Sequence, residues 1–205
     1  MYESCINAVA KSIAMNCTSP LVGGYTGRGV LIPWDSIGTI TQDSTNPRKV
    51  LAIGVTSGAQ VIALDNAGLT TPLEGSTTAG NADSGYAMFA KTLSARILSR
   101  GADVSKDLVE PLVRNANGFI AILEKNDKVG DGSYEVVGLQ SPLKVTDPST
   151  VTRTEAENGG AISFSMTATE FYFEVTFAPT PSVSESQYHK SHLQFEALLA
   201  NAFDA

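Results

Sequence analysis

Read for alternation of apolar and polar positions, the chain is dominated by short extended runs. Val30-Leu31-Ile32 opens a first strand that Pro33 ends, and Ile37-Gly38-Thr39-Ile40 forms a second extended piece after Trp34-Asp35-Ser36. Asn46-Pro47 is a turn signal. Val50 to Val55 and Gln60 to Leu64 are β-rich runs flanking Thr56-Ser57-Gly58-Ala59, which predicts a hairpin. From Phe89 to Ile97 the pattern has period two. Phe89, Lys91, Leu93, Ala95 and Ile97 share one side, and Thr92, Ser94 and Arg96 the other. Lys91 is the residue that breaks this half-buried pattern. Phe119 to Leu123 is a continuous apolar run, read as a central strand, and Tyr134 to Leu139 follows a turn at 127–132. Two last strands are predicted, Ile162 to Thr167 and Phe171 to Phe177, separated by Ala168-Thr169-Glu170. In the second, Phe171, Phe173, Val175 and Phe177 face one way and Tyr172, Glu174 and Thr176 the other.

Helical spacing appears twice. Asp103 caps a predicted helix whose Val104, Leu108, Leu112 and Val113 form a stripe, with Pro111 inside it as a weakening element. Residues 179–186 have the composition of a linker, and Ser182 and Glu185 have capping-box spacing for a terminal helix. That helix carries Tyr188, Phe195, Leu198, Leu199, Ala202 and Phe203 as an apolar stripe. Phe195, Leu199 and Phe203 are its candidate docking residues, onto the chain's own domain or onto a partner. Two readings also stay open for residues 1–19, where Ile6, Val9 and Ile13 fit a short helical face or an arm. The stretch from Asp65 to Gly85 holds few residues that could anchor in a core and is read as a long loop. Loops of about that length are usually functional or ordered by a partner. Leu73, Glu74 and Tyr86 are its candidate self-assembly residues.

The predicted fold class is therefore mainly β: a β-sandwich or small β-barrel with one embedded helix and a C-terminal helix. Residues 1–22 form an N-terminal arm, 23–178 the β domain, and 179–205 the linker and terminal helix.

Composition narrows the functional classes. Hydrophobic residues make up 42% of the 205 residues and charged residues 17%, below the ~25% usual for soluble domains. Sparse charge fits a surface extensively covered by other subunits, or a solvated surface rich in Ser and Thr. The formal net charge of −7 argues against attractive binding to a nucleic-acid backbone. Cys5 and Cys17, the two cysteines, form no disulfide framework and read as free buried thiols, with a pairing in an oxidising compartment as the alternative. No membrane span or signal peptide is predicted, and cytoplasmic synthesis is expected.

Candidate chemistry is thin. Pro20 to Val30 holds four glycines and Arg28 in the seven residues from Gly23, but it lacks the G-x-x-x-x-G-K-[ST] spacing of a phosphate loop. It also precedes a strand, whereas phosphate loops follow one and open a helix. It reads as a joint with freedom for positive φ, with Gly23, Gly24 and Arg28 as assembly-joint candidates. His189 and His192, the two histidines, sit three apart on the terminal helix and read as a solvated face. No nucleophile elbow, triad or calcium-loop spacing is present, so no catalytic residue, cofactor or metal is expected.

The order of elements carries a resemblance. Asn16-Cys17-Thr18-Ser19-Pro20-Leu21-Val22-Gly23-Gly24 precedes Val30 to Ile37. Then come Thr41 to Pro47, a hairpin, a polar loop, the strand 89–97 and the helix 104–114. Asn117-Gly118-Phe119-Ile120-Ala121-Ile122-Leu123-Glu124 follows, and then Glu157-Asn158-Gly159-Gly160 with two closing strands. Over residues 5–178 this resembles the tail-tube and tail-hub type structural proteins of tailed phages and prophages of Bacteroidetes, crAss-like phages included. The resemblance implies a β-sandwich or small barrel with a helix on its side, copies of which form rings, six-fold or higher, that stack into a tube. Loop 65–85 would reach a neighbouring subunit, and duplex DNA would pass as non-specific cargo through an acidic lumen. Other tail or connector proteins would be neighbours, and the place of function the virion tail. The competing expectation is a β-sandwich binding or decoration module of a virion, tethered by its terminal helix and recognising a receptor or glycan.

Overall fold

The computed structural model describes residues 24–65, 74–79, 88–97, 109–128, 130–145, 152–154 and 161–200. The strands are β1 (Tyr25–Pro33), β2 (Ile37–Gln42), β3 (Lys49–Val55), β4 (Ile62–Asp65), β5 (Glu74–Ala79) and β6 (Phe89–Ile97), followed by β7 (Phe119–Lys125), β8 (Tyr134–Val137), β9 (Thr152–Thr154), β10 (Ala161–Glu170) and β11 (Thr176–Phe177). The α-helices among the described residues are α1 (Glu110–Arg114) and α2 (Gln187–Ala200). A seven-stranded sheet has the order β2-β3-β11-β8-β7-β1-β4, and a four-stranded sheet the order β5-β6-β10-β9. The fold is mainly β, with no closed barrel among the described strands.

The apolar run at Phe119 is the centre of this arrangement. Phe119 to Glu124 are all buried because β7 is covered on both faces. Phe119, Ala121 and Leu123 join Leu31 and Val137 against Leu93, Ala95, Phe164 and Met166 of the four-stranded sheet. Ile120 and Ile122 face the other way, with Val30, Ile32, Tyr134 and Val136, against Phe195, Leu198 and Leu199 of α2. Three layers result: small sheet, large sheet, helix. Leu112 of α1 joins the inter-sheet core, while Val113 of the predicted stripe is 37% exposed. Val104, Leu108, Ala202 and Phe203 lie outside the described residues.

The predicted hairpin between 50–55 and 60–64 is not formed. β3 pairs with β2 and β11, whereas β4 pairs with β1. The registers explain why. Partner numbers add to 93 both at Arg28 with Asp65 and at Thr41 with Ala52, so β1–β2 and β3–β4 are the two arms of one long bent hairpin. Its turn is at 43–48, where Asp43 Oδ1 accepts the N–H groups of Thr45 and Asn46 at 2.7 and 3.2 Å. Residues 34–36 and 56–61 are its bend, bridged by the Thr56 N–H to Ser36 carbonyl bond of 2.8 Å. A local turn signal at Thr56 to Ala59 was outcompeted by the apolar edge that β1 offers to Ile62 and Leu64.

Four further departures have equally local causes. The first strand begins at Tyr25, not Val30: a register shift between Tyr25 and Gly29, with Gly27 at φ +90°, carries the ladder through the glycine-rich stretch. The stretch 65–85 contains β5, an edge strand paired with β6 from Glu74 opposite Ser94 to Ala79 opposite Phe89. A backbone ladder needs no apolar side chains, so periodicity could not reveal it. β10 runs unbroken through Ala168-Thr169-Glu170, and β11 is reduced to Thr176–Phe177, because the chain changes sheet between them. The cap of α2 is Ser186, whose Oγ accepts the His189 N–H at 3.2 Å. Ser182 and Glu185 make a turn just ahead of it, the Glu185 carboxylate accepting the Ser182 N–H at 3.2 Å.

Phe195 is fully buried and lies 5.0 Å from the Tyr134 ring, centroid to centroid. Phe195→Ala is expected to cost about 3–5 kcal/mol in urea unfolding. A loss below about 1 kcal/mol would show that α2 is not an integral layer of the core.

Candidate functional site

The exit from β10 concentrates polar chemistry in an apolar interior. Glu170, the last residue of β10, is fully buried. Its Oε1 accepts the N–H groups of Gly138 and Leu139 at 2.7 and 2.8 Å, which β8 leaves unpaired as it ends. Gly138 sits at φ +91°, and a Cβ there would lie 2.6 Å from the Phe119 carbonyl oxygen, so glycine alone fits the position. Glu170 Oε2 has no hydrogen-bond partner among the described residues and faces Lys91 Nζ at 3.6 Å. Lys91, the residue that broke the alternation of β6, donates to Glu135 Oε1 at 2.7 Å. Glu135 Oε2 accepts the Tyr25 hydroxyl at 2.9 Å and lies 3.8 Å from Lys125 Nζ. Lys125 in turn pairs with Glu174.

This network begins at Glu170 and ends at Glu174, the two limits of the crossing between sheets. The segment between them is therefore tied at both ends. Phe171 and Phe173 point outward, 54% and 59% exposed, while Tyr172 lies half-buried under the Arg48 guanidinium at 5.1 Å. The Phe171 N–H donates to Gln140 Oε1 at 2.5 Å, and the Phe173 ring meets Phe89 edge-on at 5.6 Å. The arrangement is a rigid apolar knob on a polar foundation. Sequence reasoning missed it, since Phe171 and Phe173 alternate with polar residues as an inward-facing strand would.

A second network occupies the opposite face of β7 and β8. Buried Glu124 accepts from Thr26 Oγ1 at 3.0 Å and from the Tyr134 hydroxyl at 3.3 Å, with Lys128 Nζ at 3.2 Å and Arg28 at 3.7 Å. Arg28 also pairs with Glu196 of α2 at 2.7 Å and lies over the Phe195 ring at 5.6 Å. His192 Nδ1 is 2.9 Å from the Tyr134 hydroxyl. In this tyrosine, histidine and carboxylate contact Tyr134 and Glu124 are buried, whereas His192 is partly exposed. The contact joins α2 to the sheet. Among the described residues no group of three or more His, Cys, Asp and Glu is placed to hold a metal ion.

A third feature is an open apolar groove of about 360 Å³ between α2 and the β2–β3 ribbon. Ala52, Ile53, Val55, Ala197 and Leu198 line it, with Thr39 and Gln194 among its polar groups.

The structure brings Arg28 and Phe195 together and buries Leu199 in the same cluster. Gly24, at φ +89°, accepts the Asn126 N–H at 3.0 Å immediately before β1. Glu74 opens β5 in the other layer. Gly23, Leu73, Tyr86 and Phe203 lie outside the described residues. Of the histidine pair, His189 is exposed, whereas His192 faces the sheet. Lys91 was the visible clue to the buried network: a charge at a core-facing position calls for a partner. Its partners Glu135 and Glu170 gave no such signal. No family model, curated protein or solved structure matches the chain.

Two outcomes follow from this chemistry. Removing Lys91 leaves Glu135 and Glu170 buried beside each other, so Lys91→Ala is expected to lose about 3–5 kcal/mol in chemical denaturation. A Lys91→Met variant that matched the native stability would refute the ion network as a support of the crossing. Burial, reinforced by the charge of Glu135, raises the Tyr25 hydroxyl above the ordinary tyrosine value. Burial and the charge of Glu124 likewise raise Tyr134. The folded state thus favours both neutral phenols. Their contribution is fully present below the unfolded value of about 10 and is lost as pH rises above it, by up to ~1.4 kcal/mol per pH unit for each group. Equilibrium unfolding across the alkaline range should show this fall, and Tyr25→Phe should flatten it.

Proposed function

We propose that this chain is a structural subunit that assembles with copies of itself into a ring or tube of a phage tail, through which DNA passes. The observation that carries the reading is a pair of apolar surfaces on one chain, one projecting and one recessed: the Phe171 and Phe173 knob, and the groove between α2 and the β2–β3 ribbon. A knob and a recess at different places on one molecule make a heterologous contact, which generates a closed ring when the rotation closes and a filament when it does not. Exposed phenylalanines on a segment tied at both ends lose little conformational freedom on docking, which favours binding.

The remaining support is consistent with the same reading. The resemblance over residues 5–178 implies it, with six-fold or higher rings and other tail or connector proteins as neighbours. A net charge of −7 repels duplex DNA and lets it pass without adhering. The virion tail would be the place of function and the bacterial host cytoplasm the place of synthesis. The groove also favours a second reading, a virion binding or decoration module in which the recess takes a receptor segment or glycan.

Two variants separate these readings. Phe171→Ser with Phe173→Ser removes the knob, and Ala197→Arg, at an exposed groove position, blocks the recess. Each variant alone is expected to remain monomeric in sedimentation at concentrations where the native chain assembles. Mixed together, they should stop at heterodimers, because one intact knob and one intact groove remain between them. Assembly of both variants at native strength would overturn the proposal. A native chain that stays monomeric, with a glycan displaced by Ala197→Arg, would establish the second reading instead.

A further inference from the structure

The bend of the long hairpin is held by an unusual clamp. Residues 34–36 form a 3-10 turn joining β1 to β2. The Trp34 N–H donates to the Gly118 carbonyl at 2.9 Å. Beside it, the exposed Asn117 side chain directs its amide nitrogen at both carboxylate oxygens of Asp35, each at 2.8 Å. Asn115 Oδ1 accepts the N–H groups of Asn117 and Gly118 at 3.0 and 3.2 Å. Gly118 sits at φ +82°, and a Cβ there would lie 2.6 Å from the Leu143 carbonyl oxygen, so no other residue fits.

The pair Asn117-Gly118 is chemically labile for a reason of its own. A backbone nitrogen following asparagine can attack the side-chain amide carbon, and glycine, lacking a Cβ, hinders that attack least. We propose that Asn117 is a deamidation switch at the hairpin bend, and that Asp35 sets its rate. In this step the Gly118 nitrogen gives its proton to a base in solution and forms a bond to Asn117 Cγ. The Cγ–Nδ2 bond breaks, and ammonia leaves after taking up a proton. Water then opens the resulting cyclic imide at either carbonyl, giving aspartate or isoaspartate, so the net change is hydrolysis of one amide. No oxidant or reductant is involved.

The native contacts oppose the first bond. Asp35 holds the leaving amide, and Asn115 holds the Gly118 N–H, so both reacting groups are engaged elsewhere. Once the reaction occurs, the clamp reverses sign. A carboxylate at 117 cannot donate to Asp35, and two acceptor-only negative groups face each other where two hydrogen bonds had been. The isoaspartate product also lengthens the backbone beside the Trp34 bond. The bend that directs β1 into β2 thereby loses part of its support. The reaction needs only the isolated chain and is independent of whether the chain assembles.

Peptide mapping by mass spectrometry tests it on the purified full-length chain during incubation in mildly alkaline buffer. Native wild type should convert Asn117 slowly, and the same chain unfolded in urea much faster. For a solvent-exposed pair such as this one, a hydrogen bond of ordinary net strength slows a reaction that must break it by roughly three- to tenfold. Asp35→Ala should therefore speed conversion by about that factor, and Asp35→Asn by less. Circular dichroism must show each variant folded; if Asp35→Ala unfolds, the shape-conserving Asp35→Asn decides alone. Asn117→Asp should in addition lower the urea midpoint. Equal rates in native wild type and folded Asp35→Asn, or an Asn117 that stays intact even in the urea-unfolded chain, would overturn the proposal.

Discussion

A strand buried on both faces must be covered twice, and this constraint organises the whole molecule. β7 supplies apolar side chains alternately to two sides, so a single covering layer would leave half of them in water. The four-stranded sheet covers one side and α2 the other. Both layers are remote in sequence from β7, and each is fastened by ions at the same end of the strand. Glu124 on β7 and Glu135 on β8 lie on opposite faces of the neighbouring strands; one reaches Arg28 and Lys128, the other Lys91 and Lys125. Apolar burial sets which layers meet. The buried charges, costly unless paired, determine how they are aligned.

Lys91 shows how the two kinds of force cooperate. In the middle of a core-facing row it would cost several kcal/mol as an isolated charge. Paired with Glu135 and facing Glu170, it instead links the small sheet, through β6 and the end of β10, to β8. Because Glu170 also accepts two backbone N–H groups from residues 138 and 139, the same carboxylate closes the ladder of one sheet and terminates a strand of the other. The crossing between layers is therefore a stiff connection, and what it carries on its outer side is held in a definite place.

How much of this was legible depended on the range over which each signal acts. The apolar run 119–123 announced a central strand, because burial on both faces is a property of the strand itself. Phe89 to Ala95 announced its inward face by alternation, and Lys91 stood out there as the residue that broke the pattern, with nothing to name its partners. Pairing was not legible. A turn-like Thr56 to Ala59 between two β-rich runs is indistinguishable locally from a bend in one arm of a longer hairpin. The distinction lies in the edge β1 presents, more than twenty residues upstream. β5 was invisible because an edge ladder is made by backbone, which every sequence possesses. Phe171 and Phe173 misled because alternation reports that two faces differ, without saying which faces the core.

The candidate site was hard to see for a deeper reason. Catalysis and metal binding demand particular side chains in particular relations, so they leave motifs. Recognition between apolar surfaces demands only shape, reach and rigidity, which many residues can supply. The knob at 171 and 173 and the groove lined by Thr39, residues 52–55, Phe177 and residues 194–198 draw on several separate segments of chain. None of them carries a motif. What makes the knob a credible contact is not its phenylalanines alone, since exposed apolar residues occur on most proteins. It is that Glu170 and Glu174 tie down the flanks, so the rings are presented without first having to be ordered. Under the proposed assembly, the contact face is written in the sequence as a buried Glu170 and a half-buried Glu174 on either side of an exposed aromatic pair, a pattern recognisable only after folding has joined them to Lys91 and Lys125.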